Sequence, residues 1–357
     1  MSDAGHDETE KILKKLEKEI SKEYAQAEKE IEKKLQDYFR RFQIKDGIKR
    51  QAVLDGKITQ KEYNEWRIGQ LAIGERWEEM KNTIAQDLAN TSQIAKSVAN
   101  GVMPDVYALN HNYATFQVEK ASLVDTSYTL YNRDTVARLF NDKNTFYHKA
   151  GKKLMKDIEM GKQVAWDKKS VQSALIQGIL QGESIGKMST RIAKTTGDKD
   201  RKATIRNVRT MTTGIQNAGR MDSYARAEKM GIKLMQEWVA TLDDRTRHEH
   251  RLLDGQRVAI GDKFKIDGYE LEYPGDPAGE PYLIYNCRCT TKAVLDGFSR
   301  EASDLKYRNT SKLGDMTYDE WKNEKKENIK SDRITKQDEI EKTMKEIYNA
   351  EYKRLKS

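Results

Sequence analysis

The sequence predicts a mainly α chain with a small α+β module: a long helical N-terminal region, a basic helix, a short-stranded C-terminal module and a terminal helix. Three observations lead there. The 357 residues hold four prolines, and an interior proline removes a backbone donor and costs a helix about 3 kcal/mol, so long uninterrupted helices are open to this chain. Apolar residues recur at steps of three and four through charged stretches, which is the period of one helix face. Between Lys233 and Phe298 that period gives way to short apolar runs broken by Gly, Asp and Pro, the pattern of strands and turns.

Composition narrows the class. Hydrophobic residues make up 37% and charged residues 34%, so much helix surface over thin cores is expected. The net charge of +8 suits an acidic partner, without separating nucleic acid from a membrane surface or an acidic protein. Two cysteines one residue apart make no disulfide framework. No apolar run has the roughly 18–20 residues of a membrane span. Met1–Glu10 is acidic and lacks an apolar core, unlike a secretory signal, so folding in a reducing cytoplasm is the expectation.

In chain order, residues 1–125 read as long amphipathic helices for assembly or docking. Glu8–Phe42 places Ile12, Leu13, Leu16, Ile20, Tyr24, Ala27, Ile31, Leu35, Tyr38 and Phe42 on one stripe, as in a coiled coil or bundle helix. Asp55-Gly56-Lys57 breaks it, and Thr59 with Glu62 forms a capping box. A second long helix runs through Tyr63, Trp66, Ile73, Trp77, Met80, Ile84 and Leu88. Asn100-Gly101 reads as its C-cap and Pro104 as the first turn of a third helix.

Residues 126–199 read as a helical middle region. Asp125–Gly151 is looser; His148 within it and His111 before it lack a second ligand at metal-binding spacing and read as ordinary structural or surface residues. Val171, Leu175, Ile179 and Leu180 share a helical stripe, and Ser184–Gly197 forms a short helix.

Residues 200–298 form the third region. A helix over Asp200–Met230 and its flank carry Arg201, Lys202, Arg206, Arg209, Arg220, Arg226, Lys229 and Lys233. These could lie along phosphates or pack on an acidic neighbour. Gly231 ends the helix. Strands are expected at Gln236–Thr241, Val258–Ile260, Tyr269–Tyr273, Tyr282–Tyr285 and Thr290–Leu295. Residues 299–357 form a charged helical tail, with a loop at Arg308–Ser311 and Gly314, a helix opening at Tyr318 and a last one over Thr335–Leu355.

Rare residues concentrate between Trp238 and Lys292. Both cysteines, two of the five histidines and three of the four prolines lie there. His250, Cys287 and Cys289 are donors of the kind zinc prefers, with Asp243 or His248 as a fourth, and one structural zinc would staple a module too small for much core. The plain alternative is two reduced cysteines in a small core with His250 on a backbone carbonyl. A histidine among Asp243 and Asp244 could instead position a metal-bound water for phosphodiester hydrolysis, or Cys287 could be a nucleophile beside His250. Arg245 and Arg247 could bind phosphate or pair with Asp243 and Asp254. Asp254-Gly255 is a tight-turn signal, with Gln256 placed to bond across it.

These motifs also occur in a known order. Trp238, Asp243-x-Arg245-Thr246-Arg247-x-x-His250, Leu253-Asp254-Gly255-Gln256, Pro274-x-Asp276-Pro277 and Asn286-Cys287-Arg288-Cys289 resemble the phage minor head, or head-morphogenesis, proteins of the Mu F-like family. Asn217-x-Gly219-Arg220, Gly178-x-x-x-Gly182-Glu183-Ser184-Ile185 and Tyr318-x-x-Trp321 are similar too. Arg209-Thr210 is followed here by Met211, where the family usually has glutamate. The resemblance implies a non-enzymatic minor capsid protein of the virion, assembled in the bacterial host cytoplasm. It further implies association with the portal vertex, with scaffold or major capsid protein, and with packaged DNA. Self-association through the long helices is compatible with it. The competing readings are a metal-dependent nuclease or phosphodiesterase acting on DNA, and a helical adaptor that binds only protein.

Overall fold

Three tryptophans, Trp77, Trp238 and Trp321, are buried, and each belongs to its own apolar cluster. The computed structural model of the chain describes residues 3–126, 128–156, 159–296, 312–327 and 337–356. Its elements open with α1 (Ala4–Arg40), α2 (Gln43–Leu54), α3 (Gln60–Leu71), α4 (Glu75–Ser122), α5 (Arg133–Leu139), α6 (Phe146–Leu154), α7 (Met160–Leu180) and α8 (Ile185–Lys229). The mixed module follows as β1 (Leu234–Val239), α9 (His248–Leu253), β2 (Arg257–Ala259), β3 (Phe264–Ile266), β4 (Tyr269–Leu271), α10 (Pro281–Ile284) and β5 (Thr290–Leu295). The tail holds α11 (Lys312–Asp315), α12 (Tyr318–Glu327) and α13 (Gln337–Lys356). The chain is mainly α with a small α+β module.

Two compact units divide it. One comprises Met1–Leu16, Val98–Lys156 and Arg206–Asn349, and the other Glu17–Ser97, Asp157–Ile205 and Ala350–Ser357.

The second unit buries Ile31, Leu35 and Phe39 of α1 with Trp77, Ile84 and Leu88 of α4, Val171, Leu175 and Ile179 of α7, and Met188 and Ile192 of α8. The apolar stripe of α1 is buried from Ile12 to Tyr38 as its period requires. The helix stops at Arg40, however, and α2 begins only three residues on. The Thr59–Glu62 capping box forms, each side chain bonding the other residue's N–H. The expected second helix is instead two, because Gly74 takes a left-handed φ of 104° between α3 and α4. Ile185–Lys229 is one continuous helix rather than two. Gly197 stays helical where the Glu28 side chain crosses so closely that a Cβ would sit 2.6 Å from its Cγ. Asp200, which looked like a helix start, is buried beside Asp167 of α7, with the Gln163 amide donating to both. Burial first, then mutual repulsion, raises the Asp167 carboxyl, and burial also raises Asp200.

The first unit overturns the expected helix boundary at Pro104, which lies inside α4. The Arg133 guanidinium spans the proline, donating to the Gly101 carbonyl and, at 2.9 Å, to Asp105. Val98, Ala99, Val102, Met103, Val106 and Tyr107 are buried around it, and their burial offsets the lost backbone bond. Gly101 is no cap: a Cβ there would collide with Ile347 of α13. The looser region contains α5 and α6, capped by Asn132 and Thr145. His111 is buried between Tyr128 and Asp222, and His148 bonds the Phe140 carbonyl. Both histidines are structural.

In the module, β1 is the centre of an antiparallel sheet of order β2-β1-β5, with Trp238 opposite Thr291 and Gln236 opposite Val258. The strands β3 and β4 form a hairpin closed by Asp267-Gly268, both at positive φ, as a tight two-residue turn requires. Tyr282–Tyr285 is not a strand. Pro281 sits at the start of α10, where its missing N–H costs nothing, and Leu283 and Ile284 turn inward. In the tail, Gly314 lies in α11, and the Arg308–Ser311 loop falls outside the described residues.

Candidate metal centre and its seat on the central helix

Three elements bring the rare side chains together. Helix α9 carries His250, the turn after α10 carries Cys287, and the residue entering β5 is Cys289. All three are buried, and their ligand atoms lie within 4.8 Å of one another. His250 Nε2 lies 2.8 Å from the Leu283 carbonyl. A carbonyl only accepts, so Nε2 carries the proton and the Nδ1 lone pair is left facing the sulfurs. Nδ1 is 3.3 Å from Cys289 Sγ and 3.8 Å from Cys287 Sγ. The Cys289 amide donates to Cys287 Sγ at 3.4 Å. The hydrogen bond between the two thiols lowers Cys289, while that same bond and burial raise Cys287. Two cysteine sulfurs and a free imidazole nitrogen in a dry pocket fit a borderline-soft cation such as zinc.

Asp243 is placed elsewhere. Its carboxylate takes two parallel bonds from Arg288, at 2.5 and 2.7 Å, and this partner first of all holds it well below the usual carboxylate range. Arg245 sits 3.7 Å away on the exposed side. Arg247 reaches the Tyr285 carbonyl rather than Asp254. Asp254 instead accepts the Ala240 N–H at 2.8 Å, and Gln256 accepts from the Lys265 N–H of β3 rather than across the Asp254–Gly255 turn. Asn286 stands at φ 54° in the turn between α10 and β5, immediately before Cys287, a conformation asparagine tolerates better than most residues. Trp238 packs edge-on to His250 and Phe264, closing the pocket floor.

The central helix α8 is the part that residue patterns missed. From Thr210 to Met221 it is buried on every side, yet it is rich in polar residues. Those side chains bond the backbone of the module. Thr213 donates to the Cys287 carbonyl at 2.5 Å. The Asn217 amide donates to the Pro274 and Cys289 carbonyls, and its oxygen accepts from the Thr291 N–H. Arg220 donates to the Thr291 carbonyl, to Asn110 and, through two nitrogens, to Asp3. Burial alone would raise Asp3, but Arg220 overrides it and the carboxyl ends lower than usual. Glycines permit the close approach: a Cβ on Gly214 would lie 2.7 Å from the Gly275 carbonyl oxygen, and one on Gly219 2.7 Å from that of Tyr107. The Asn217-x-Gly219-Arg220 motif was the one available signal.

The eight cations therefore form no single stripe. Arg220 is buried, Arg201, Arg209 and Arg226 are half-buried, and Lys202, Arg206, Lys229 and Lys233 are exposed. Arg201 pairs with Asp198, Arg206 lies over the Tyr285 ring and Arg226 over Tyr128.

Residues 169–292 match the family model described as Phage Mu protein F like protein. The chain is 32% identical over 160 residues to the minor head protein GP7 of Bacillus phage SPP1, covering 44% of this chain and 51% of that protein. It is 31% identical over 209 residues to a protein named NAD(+)--arginine ADP-ribosyltransferase EFV from Enterococcus faecalis, covering 58% of this chain and 40% of that one. An uncharacterized protein of Haemophilus influenzae is 30% identical over 209 residues, with the same coverage of 58% and 40%. The chain thus spans about half or less of the length of these curated relatives. No solved structure matches.

Proposed function

We propose that this chain, whose residues 169–292 belong to the Phage Mu protein F-like family, is a minor structural protein of a tailed-phage head. The observation that carries the reading is the likeness to a minor head protein over 160 residues. The family match over residues 169–292 takes in the polar helix and most of the module it anchors. In the proposal the protein resides in the virion, is assembled in the host cytoplasm, and docks on the portal or on other head proteins through its long helices. It contacts packaged DNA through exposed cations, and His250, Cys287 and Cys289 hold one structural zinc.

Two features support a structural over a hydrolytic role for the module. The Asp243 carboxylate is occupied by Arg288, and the His–Cys–Cys group is 2–3% exposed, which leaves no room for a phosphodiester beside it. The transferase name belongs to a protein of which the shared stretch covers 40%. No part of that activity is assigned to this chain.

The test is to infect or induce a host carrying the gene with an epitope-tagged copy, purify heads on a gradient and quantify the chain against the major capsid protein. Low-copy presence in heads is expected, and absence from them overturns the proposal. Incubating the purified chain with labelled NAD and arginine-containing acceptors should give no transfer; transfer would replace a purely structural reading with an enzymatic one.

A further inference from the structure

A cleft of about 700 Å³ in the first unit lies between helix α6 and the turn that follows β4. Lys143, just before α6, and Lys149, Lys152 and Lys153 on it line one wall, and all are exposed. They enter no salt bridge among the described residues. Lys152 and Lys153 lie in the last turn of α6, where cations complement the helix dipole. That explanation does not extend to Lys143 and Lys149. Glu272 and Asp276 stand on the opposite wall, but the Asp276 carboxylate is engaged by the N–H groups of Glu272 and Ala278. The cations are left in excess.

The two walls are held at a fixed separation. Leu154 at the end of α6 and the Gly275 carbonyl both close on Gly214 of α8, where no Cβ would fit. The Pro274 carbonyl is tied to Asn217 on the same helix. A preformed charged cleft does not lose affinity to the ordering of its own walls. Its lining also discriminates between ligands. Protein interfaces are depleted in lysine and anchored by aromatic or arginine side chains, whereas ammonium groups act as point-charge contacts to phosphate. Of the rings in the lining, Tyr273 is 2% exposed and the half-buried His148 is tied to the Phe140 carbonyl, so neither offers a protein anchor or the stacking platform that single strands use.

We propose that this cleft seats the phosphate backbone of duplex DNA, with Lys143, Lys149, Lys152 and Lys153 as its contacts and no reading of bases. The proposal rests on the DNA-contact part of the function proposed above and locates that contact on α6 and the residues just before it, away from the cations of α8.

The experiment uses the full chain, a fluorescent duplex of mixed sequence and anisotropy across a salt series. Three proteins are compared: wild type, the fourfold variant K143Q/K149Q/K152Q/K153Q, and an α8 control K202Q/R206Q/K229Q/K233Q. Each phosphate contact adds about 0.9 to the slope of log affinity against log salt. The α6 variant should therefore lose roughly 3 in slope and at least tenfold in affinity at low salt, with an unchanged melting temperature, while the control loses less. If the fourfold variant misfolds, the pair K149Q/K152Q should show about half the loss of slope. Wild-type binding with an unaltered α6 variant overturns the cleft and leaves the DNA-contact reading standing. No binding by wild type at low salt overturns both. Polyglutamate bound as tightly as DNA, and lost in the same variant, reassigns the cleft to an acidic protein.

Discussion

The Glu119 carboxylate of α4 and the Trp321 indole of α12 are joined by a 2.6 Å hydrogen bond across 202 residues of sequence. Glu119 is wholly buried. It also accepts from Thr126 through both the N–H and the hydroxyl, and pairs with Lys325 at 3.2 Å. One carboxylate thus fixes the residues after α4 and the α12 helix against Phe116 and Tyr128. Removing one partner of a buried ion pair costs about 3–5 kcal/mol. Lys325 keeps a second partner in Asp125, so Glu119→Ala should lose roughly 3 kcal/mol in urea unfolding followed by tryptophan fluorescence. A loss under about 1 kcal/mol would mean that α12 is not held this way.

Zinc should bind the reduced chain one to one. Elemental analysis of protein dialysed against zinc, and a thiolate charge-transfer band on cobalt substitution, are the measurements. Both should vanish in Cys289→Ser and weaken in His250→Ala. At a hundredfold excess of free metal over Kd, stability should rise by about 2.7 kcal/mol. An unchanged melting temperature with fully reduced thiols would argue instead for a metal-free dithiol packed against His250.

Two glycine-to-alanine changes should act in opposite directions. Gly219→Ala places a methyl 2.7 Å from the Tyr107 carbonyl oxygen, and overpacking against rigid backbone costs about 1–3 kcal/mol. Gly47 in α2 has nothing within 4 Å of a Cβ, so Gly47→Ala should stabilise by up to about 1 kcal/mol. Melting curves that move the same way for both would contradict the packing described for α8.

The buried Asp167–Asp200 pair should make the chain less stable as pH rises. Both folded-state values are raised, so the native pair keeps a proton that the unfolded chain has already released above about pH 4. The unfolded state then binds fewer protons, and stability falls through the interval up to the raised values. Asp200→Asn removes the repulsion. Its gain over wild type should be larger at about pH 8 than at about pH 5, measured by denaturant midpoint. A gain independent of pH would place the shared proton elsewhere.

Much of this was legible in the residues. The stripe of α1, the Thr59–Glu62 box and the Gly231 stop are local signals, and they held. The triple of His250, Cys287 and Cys289 was legible because such donors are scarce in this chain. What failed were local signals overruled from a distance. Pro104 reads as a boundary until Arg133 bridges it. Tyr282–Tyr285 is an apolar run too short for period alone to type. Asp243 looks like a ligand until Arg288, 45 residues on, takes both its oxygens.

The bonds from α8 to the module decide where this chain can be cut. The carbonyls of Pro274, Cys287, Cys289 and Thr291 find their donors in Asn217, Thr213 and Arg220, all upstream of Gly231. A fragment beginning at β1 would keep its strands but strand those carbonyls without partners, and would be expected to aggregate rather than fold. During synthesis α8 emerges before the strands whose carbonyls it bonds. The stretch that looks most like a small domain is a graft on a helix, and any autonomous version of it has to start before Thr210.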